Sequence, residues 1–270
     1  MGEYQRADSP PMCANSPHFL VSRLLHDAGF RHAFFTREGG VSAGPYSSLN
    51  FSFAVGDQPD AVRSNLARAA AALGIATEQL YYLSQVHGRT VVTLDATLPA
   101  SEVQGQTGDA LVSLPGNHAC AVRTADCVPI LIADPDRRIV GAIHAGWRGV
   151  VANGVAASVA TAVEIGARPS RLLAAIGPHI SVDHFEVGDE VASELARVAG
   201  TDEVVRRVSG QRPRVDLLRI VRHQLVDSGV DAGRIEFVGG CTASEPNRFF
   251  SYRRDGTRGG RHLSAIVGAS

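Results

Sequence analysis

Short apolar runs crowd the middle of the chain, and their length restricts the fold more than any other feature. Each run is largely β-branched or apolar and is too short for a typical helix, so each is predicted to be a strand. Turn-forming residues separate them. The six runs are Leu80–Val86, Thr90–Leu94, Ala110–Leu114, Ala119–Arg123, Pro129–Ala133 and Ile139–Ile143. The centre of the molecule is therefore predicted to be rich in β-sheet.

Helical spacing of apolar residues appears outside this central region. From Asp60 to Leu73 the apolar residues recur at helical intervals, with Asp60 as the predicted N-cap and Gly74 just past the end. This mixture of strands and helices predicts one mixed α/β unit. Further predicted helices are an Ala/Val-rich stretch from after His144 to Ile165, which closes at Gly166, and the segments Asp189–Val198 and Val215–Val226. Further predicted strands are His32–Thr36, Leu172–Ile176, Ile235–Val238, Phe249–Tyr252 and Leu263–Val267.

The charge balance and the cysteine content exclude several classes of protein. The 270 residues carry a formal net charge of −1, so no global field attracts the chain to nucleic acid or to an anionic membrane. No segment reaches the ~18 uninterrupted apolar residues of a membrane helix. Residues 1–16 are predicted to be a flexible tail and residues 17–270 a single domain. Four cysteines are too few for a disulfide framework, which predicts reduced thiols and a cytoplasmic location.

Three side chains that bind soft transition metals lie at or just beyond predicted strand ends. They are His87 in Ser-Gln-Val-His-Gly, Cys127 in Ala-Asp-Cys-Val-Pro and His144 in Ala-Ile-His-Ala-Gly-Trp, and we call them the His-Cys-His trio. One thiolate and two imidazoles suit zinc, and three protein ligands leave the fourth tetrahedral position open, as in catalytic sites. Asp126 is the carboxylate predicted to orient one of the histidines.

Spacing alone does not establish a metal site. The intervals of 40 and 17 residues within the trio match no local metal-binding signature. A cysteine in a β-rich segment is more often a small buried hydrophobe, and Asp126 could equally be a turn residue. The residues by themselves leave both interpretations open.

The turn after His144 indicates that the same region binds an anion. Gly146 and Gly149 flank Trp147-Arg148, where a predicted strand gives way to a helix. A helix N-terminus offers free backbone N–H groups, and Arg148 adds a fork-shaped donor for phosphate or carboxylate. The alternative is that Arg148 is only a surface salt-bridge partner.

Two further clusters combine tight turns with charged side chains. One joins Arg37-Glu38-Gly39-Gly40-Val41-Ser42 to Ser48-Leu49-Asn50, and the other is Ser251-Tyr252-Arg253-Arg254-Asp255-Gly256. If the second cluster continues a strand, only one of Arg253 and Arg254 points into a given pocket. Turn chemistry with solvated charge is the alternative for both clusters.

Several blocks of the sequence, in order from about residue 18 to residue 268, resemble the YfiH-type family. Three of them contain the trio, namely Ser84-Gln85-Val86-His87-Gly88, Ala125-Asp126-Cys127-Val128-Pro129-Ile130 and His144-Ala145-Gly146-Trp147-Arg148-Gly149. Others are Phe35-Thr36-Arg37-Glu38-Gly39-Gly40-Val41-Ser42, Ser48-Leu49-Asn50, Gly56-Asp57, Ile176-Gly177-Pro178, Phe185-Glu186-Val187-Gly188 and Phe250-Ser251-Tyr252-Arg253-Arg254-Asp255-Gly256. The family was long labelled polyphenol oxidase or laccase domain and is described as purine nucleoside phosphorylase with adenosine deaminase activity.

The resemblance implies a fold, a metal and a set of substrates. The implied fold is α+β, a single domain of mixed β-sheets packed between helices (CNF/YfiH-like). The trio is the implied metal site, with zinc as the ion and copper as the alternative. The implied reactions are phosphorolysis of adenosine and inosine to free base and ribose 1-phosphate, phosphorolysis of 5′-methylthioadenosine, and hydrolytic deamination of adenosine. Purine nucleosides and phosphate are thus the expected partners of a monomer or weak dimer.

These implications lead to a mechanistic hypothesis. In deamination, water activated at the metal attacks C6 of adenine, and Asp126, or less favourably Glu38, transfers the proton. In phosphorolysis, Arg148 holds the phosphate together with Arg37 or Arg253. Asn50, in the loop that follows Arg37, is expected to bind substrate. The sequence has Gly259-Gly260-Arg261 where Thr-Gly-Arg is common in the family, a departure that bears on substrate preference more than on the chemistry.

Three other functions remain open. A copper oxidase would agree with the older family label, but none of the ten histidines lies two residues from another, as the His-X-His ligands of blue multicopper oxidases do. A metal-free hydrolase or deamidase would use Cys127 as nucleophile with His144 or His87 as its base. A non-enzymatic nucleoside-binding or partner-regulating module would bind inosine without turnover.

Overall fold

Two mixed β-sheets form the centre of the molecule, which a computed structural model describes over residues 16–94 and 99–268. In chain order the strands are β1 (Phe19–Leu20), β2 (His32–Phe35), β3 (Leu80–Tyr81), β4 (Val91–Leu94), β5 (Ala110–Ser113), β6 (Ala119–Thr124), β7 (Val128–Asp134), β8 (Ile139–Ala145), β9 (Leu173–Ile176), β10 (Val205–Arg206), β11 (Arg214–Val215), β12 (Ile235–Phe237) and β13 (His262–Val267). The helices are α1 (Arg23–Asp27), α2 (Pro59–Ala72), α3 (Ala100–Gln104), α4 (Trp147–Val151), α5 (Gly154–Glu164), α6 (Asp189–Ala199), α7 (Leu217–Asp227) and α8 (Tyr252–Asp255).

Both large sheets combine parallel and antiparallel pairs. The six-stranded sheet has the order β12-β9-β7-β8-β5-β4, and the five-stranded sheet has the order β1-β2-β13-β6-β3. β7, β8 and β5 are antiparallel neighbours, whereas β12 runs parallel to β9 and β4 runs parallel to β5. In the smaller sheet only β3 and β6 are parallel. The predicted class, α+β with mixed sheets between helices, is confirmed.

Alternation of side chains along the strands explains how the sheets stack. In β7, Ile130 and Ile132 pack on the helix side, whereas Leu131 and Ala133 pack between the two sheets. This is the period of two expected of a strand buried on both faces. In β6 the residues Cys120 and Val122 face the same inter-sheet core, and the alternate residues Ala119 and Ala121 face helix α2. The layers are therefore α2, the smaller sheet, the larger sheet, and the helices α4 to α7.

The predicted start of one helix and the predicted continuity of another were wrong, and local chemistry explains both. Helix α2 begins at Pro59, which suits the first helical position, so Asp60 lies in the first turn and is not the N-cap. Its predicted end is confirmed, because Gly74 follows with a left-handed φ of 67°. The single helix predicted after His144 is divided into α4 and α5 at Asn153, whose φ is 57°.

Two predicted strands were also wrong. Only the first two residues of Leu80–Val86 form a strand, and the rest of the segment turns toward His87. The aromatic run Phe249–Tyr252 is not a strand, because Ser251 accepts a hydrogen bond from the backbone N–H of Arg254 and starts the short helix α8. Arg253 and Arg254 therefore lie on a helix, and the alternation expected for a strand does not apply to them.

The predicted N-terminal tail and the predicted domain bounds extend beyond the described residues. The tail predicted for residues 1–16 lies outside the described residues, except for Ser16. The assignment of residues 17–270 to a single domain stays a prediction. Within the described ranges, none of the helices combines the length and apolar character needed to cross a bilayer.

Leu111 tests the inter-sheet core. It is 0% exposed between the two sheets, so Leu111→Ala is expected to lower the free energy of unfolding by about 2–5 kcal/mol through lost burial and a cavity. Urea denaturation would measure the change. Leu114→Ala, at a leucine that is 49% exposed, should change it by less than about 0.5 kcal/mol. Equal effects at both positions would contradict this packing.

Candidate metal centre

The hairpin of β7 and β8 brings two members of the trio to one end of the larger sheet. Val128, the first residue of β7, pairs with Ala145, the last residue of β8. Cys127 directly precedes Val128, and His144 directly precedes Ala145 and lies opposite Pro129. The antiparallel register therefore places the thiol and the imidazole side by side although 17 residues separate them.

His87 joins them from a turn that one buried carboxylate holds in place. The backbone N–H groups of His87 and Gly88 donate to the two oxygens of Asp109, at 2.9 and 2.7 Å. His87 itself has a left-handed φ of 60°, which is uncommon for a residue other than glycine. The Asp109 carboxylate thus stabilises the turn that presents the third ligand.

The ligand atoms of the trio lie within 4.8 Å of one another. The rings of His87 and His144 meet edge to face, with their centroids 4.8 Å apart. His144 is buried, Cys127 is half-buried and His87 is exposed, so the cluster opens to solvent on the His87 side. Two imidazoles and a thiolate in one cluster fit a zinc ion with an open coordination position.

The Asp109 carboxylate also fixes the orientation of His144. Its Oδ1 lies 2.8 Å from Nδ1 of His144, and the backbone N–H of His144 donates to the carbonyl of Asp109 at 2.7 Å. Nδ1 is thus occupied, and Nε2 remains for Cys127 or a metal. This is the carboxylate–histidine pairing that supports metal ligands. Sequence reasoning missed Asp109, because nothing local marks an aspartate 35 residues before its partner.

Asp126 does not have the orienting role predicted for it. Its Oδ1 accepts from the Thr242 hydroxyl and its Oδ2 from the backbone N–H of Arg253, both at 2.6 Å. Its φ is 84°, so Asp126 forms a second left-handed turn beside the trio. It ties the loop before β7 to the C-terminal segment. Its part in proton transfer stays a prediction.

Burial and charge act in opposite directions on the buried pair. Burial alone would raise the pKa of Cys127, but the charge of His144 and hydrogen bonds from His144 and His87 lower this pKa to about 6. Burial would lower the pKa of His144, but Cys127 and Asp109 raise it to about 9. The pair therefore favours a thiolate at neutral pH, the form that binds metals and acts as a nucleophile.

Gly146 is required by the closeness of two ligands. A Cβ at this position would lie 2.7 Å from Cδ2 of His87 and 3.2 Å from the sulfur of Cys127. The Gly-Trp block thus allows the ligands to approach the backbone. The next arginine, Arg148, is exposed and lies over the Trp147 ring, with 4.4 Å from its guanidinium carbon to the ring centroid. Its anion-binding role stays a prediction.

The other residues predicted to bind substrate make intramolecular contacts. Arg37 donates to the carbonyls of Ser47 and Pro246, and its guanidinium carbon lies 4.5 Å from the centroid of the Phe250 ring. Arg253 donates to the carbonyls of His184 and Glu186. Glu38 pairs with His18 at the surface. These contacts fasten loops together.

Asn50, predicted to bind substrate, is held in a network of intramolecular hydrogen bonds. It is 0% exposed. Its amide nitrogen donates to the Ser52 carbonyl and the Asp57 carboxylate, and its oxygen accepts from the backbone N–H groups of Ser52 and Arg261. Both ends of the amide are thus occupied inside the protein, and the substrate-binding role of Asn50 stays a prediction.

Sequence reasoning missed two arginines near the trio. Arg261, which precedes β13, is close enough to interact electrostatically with Cys127 and Asp126. Arg123, near the end of β6, is close enough to Arg261 to repel it. The only signal was the Gly-Gly-Arg departure from the family pattern.

The fold and the trio define a class of α+β protein with a His-Cys-His cluster at the end of its central hairpin. The sequence model of a family described as multi-copper polyphenol oxidoreductase laccase matches residues 31–269. The purine nucleoside phosphorylase of Deinococcus radiodurans is 43% identical over 237 residues, which cover 88% of each chain. The purine nucleoside phosphorylase YfiH of Escherichia coli K12 is 37% identical over 242 residues, 89% of this chain and 95% of that one.

Solved structures give the same result. The YfiH protein of Bacillus licheniformis superposes with a TM-score of 0.88 at 28% identity, over 97% of this chain and 100% of that chain. The chain therefore belongs to the YfiH-type, laccase-domain family, as its motifs predicted.

Gly146→Ala tests the close approach of the ligands. The added methyl group would displace His87 or Cys127, so zinc content per chain and zinc affinity should fall at least tenfold while the protein remains folded. Metal analysis and chelator competition would measure both. Gly188→Ala is the matched control, because a Cβ at Gly188 meets no atom within 4 Å. Wild-type zinc affinity in Gly146→Ala would contradict the geometry.

Asp109→Asn tests the carboxylate that supports the trio. Asparagine must turn its NH₂ group toward one of the present donors, so His144 or the His87 turn loses its acceptor. Zinc affinity should fall 10- to 100-fold, as measured by chelator competition. Asp134→Asn is the control. Asp134 is equally buried and accepts backbone N–H bonds from Asp136, Arg137 and Arg168, so its loss should reduce stability and leave zinc affinity unchanged.

Proposed function

We propose that this protein is a metal-dependent purine nucleoside phosphorylase that also deaminates adenosine. The observation that carries the proposal is the trio itself, three ligands supported by Asp109 and open on one side. The names of the relatives, purine nucleoside phosphorylases at 37–43% identity, support the reaction class. The proposed substrates are adenosine, inosine and 5′-methylthioadenosine with phosphate, in the cytoplasm.

The trio would hold the metal, with zinc as our choice and copper as the alternative. When bound, zinc supplies a Lewis acid that polarises a substrate atom or activates water near neutral pH. Cys127 provides the anionic ligand, and Asp109 keeps the Nε2 atom of His144 directed at the site. His87 lies on the exposed side, where a nucleoside would enter.

Apolar surface near the trio suits a purine base. Val86, which precedes His87, is 56% exposed, and Tyr252 at the start of α8 is 51% exposed. The guanidinium carbon of Arg261 lies 5.6 Å from the centroid of the Tyr252 ring, and the same arginine interacts with Cys127. Tyr252 is thus on the side of the site where a base could stack on its ring.

The two reactions use different nucleophiles on the nucleoside. In phosphorolysis a phosphate oxygen bonds to C1′ as the C1′–N9 bond breaks, and its electron pair leaves with the base, which takes up a proton. In deamination water adds at C6 and ammonia leaves. Asp126 is the proposed proton carrier, since it directly precedes Cys127 in the chain and Arg261 interacts with both residues.

A product assay tests this function. Zinc-loaded protein is incubated with adenosine, inosine or 5′-methylthioadenosine, with and without phosphate, and the products are identified by mass. Ribose 1-phosphate, or 5-methylthioribose 1-phosphate from 5′-methylthioadenosine, should form only with phosphate, and inosine should form from adenosine without it. Cys127→Ala and His87→Ala should each lose at least a hundredfold of both activities. Cys120→Ala is the matched control, because Cys120 is buried between the sheets.

Three results would overturn the proposal. Full phosphorolysis and deamination by Cys127→Ala would exclude the trio as the centre of the chemistry. Copper in protein purified without added metal, with strong blue absorption near 600 nm, would favour the oxidase. Inosine binding without turnover in phosphate would favour a binding module.

One observation favours a second candidate, a cysteine hydrolase. The pKa of Cys127 is lowered to about 6 beside His144, as for a nucleophilic thiolate. A covalent adduct on Cys127 in zinc-loaded protein treated with an electrophilic substrate analogue would support this candidate. Protection of Cys127 by zinc would support the metal site.

A further inference from the structure

Two neighbouring arginines, of which Arg261 lies beside the trio, form no ion pair with a carboxylate among the described residues. Arg123 donates from Nη2 to the Leu83 carbonyl at 3.1 Å. Arg261 donates from Nη1 to the carbonyls of Gly259 and Gly260, at 2.8 and 2.9 Å. Both side chains are half-buried. A charge removed from water in this way is costly unless a counterion accompanies it.

The two guanidinium groups are held on the same side of the smaller sheet. Leu263 pairs with Arg123 across β13 and β6, and Arg261 precedes it by two residues, the spacing that returns to one face of a strand. The guanidinium carbon of Arg123 lies 4.6 Å from the centroid of the Tyr82 ring. That of Arg261 lies over Tyr252. Aromatic faces and carbonyls therefore fix both groups and leave donors unused.

The unused donors can reach a ligand. Among the described residues, Nε and Nη2 of Arg261 and Nε and Nη1 of Arg123 have no hydrogen-bond acceptor. None of these atoms is both fully buried and unpaired, so each keeps some exposure through which a ligand could approach. A guanidinium group binds phosphate through two parallel N–H bonds.

The surroundings of the pair are electropositive. The buried imidazole of His262, which follows Arg261, has a pKa of about 3; burial lowers it most, and the charges of Arg37, Arg261 and Arg254 lower it further. Asp126, whose charge acts on Arg261, already accepts from the Thr242 hydroxyl and the backbone N–H of Arg253. A region rich in arginine charge therefore adjoins the trio, and the Asp126 carboxylate that acts on Arg261 already has other hydrogen-bond donors.

We propose that Arg123 and Arg261 bind the phosphate that attacks the nucleoside. This rests on the proposed function, and it replaces Arg148, Arg37 and Arg253 as the principal phosphate ligands. The bound phosphate lies between the trio and the Tyr252 ring, so one site holds the metal, the anion and the base. Deamination uses water and therefore does not require this pair.

Steady-state kinetics on zinc-loaded protein separates the two reactions. In Arg123→Gln and Arg261→Gln the KM for phosphate in inosine phosphorolysis should rise roughly 10- to 100-fold, the factor for one lost hydrogen bond to a charged group. The KM for inosine and the rate of adenosine deamination should change less than threefold. Arg261→Lys, which keeps the charge and loses the fork, should lie between the wild type and Arg261→Gln.

Arg138→Gln is the matched control. Arg138 is also half-buried over an aromatic ring, Phe30, and donates to the Ala28 carbonyl. It precedes β8, whereas His144 lies near the other end of that strand, ~20 Å away at about 3.3 Å per residue. The KM for phosphate of the Arg138→Gln variant should equal that of the wild type. Thermal melting and zinc content would verify that each variant is folded and loaded.

Direct binding separates this inference from the proposed function. Inorganic phosphate is titrated into zinc-loaded protein, without nucleoside, and followed by ³¹P line broadening. Broadening in the wild type and in Arg138→Gln that is lost in Arg123→Gln and Arg261→Gln supports the inference, even if no ribose 1-phosphate is ever formed. Active wild-type enzyme with unchanged phosphate KM and broadening in both glutamine variants would overturn it. Loss of the ³¹P broadening in Arg148→Gln, with the broadening unchanged in Arg123→Gln and Arg261→Gln, would also overturn it.

Discussion

The buried carboxylate of Asp109 is the contact on which the candidate site depends. Asp109 directly precedes β5, and its carboxylate accepts from the backbone of the His87 turn and from the ring of His144. Burial would raise the pKa of Asp109, but the hydrogen bonds from His144 and Gly88 lower it below its usual value. Because a buried anion must keep all its donors, the positions of two ligands are coupled to each other and to the larger sheet. The site is rigid for the same reason that the fold is stable there.

Strained backbone lies on both sides of the same cluster. His87 and Asp126 adopt left-handed φ values, and Gly146 leaves room that no side chain could share. Such conformations cost free energy and persist only where surrounding contacts determine them. Asp109 determines the first and Thr242 with the backbone of Arg253 determines the second. The hydrogen bonds around the trio therefore offset the cost of bringing a thiol and two imidazoles together.

The sequence predicted what local patterns encode and missed what only the register creates. Alternation in Ile130, Leu131 and Ile132 identifies a buried strand, and the motifs around Cys127 and His144 identify the ligands. The role of Asp109 could not be read, since it depends on β5 pairing with β8 across 35 residues. The aromatic run at Phe249 and Phe250 suggested a strand because burial and β-propensity favour the same residues. At that point the Ser251 hydroxyl caps a short helix by accepting a hydrogen bond from the backbone N–H of Arg254.

The net charge of the whole chain says little about what the site attracts. At −1 the protein has no global field, yet Arg123 and Arg261 adjoin a trio suited to a divalent cation. With a zinc ion bound, the positive charges of the zinc and the two arginines would outnumber the negative charges of Asp109, Asp126 and the Cys127 thiolate. In a partly buried site such an excess is weakly screened, so it favours an anionic partner over a neutral one. A family named for oxidation of neutral phenols would have no evident use for that excess, whereas phosphorolysis requires a phosphate ion beside an uncharged nucleoside.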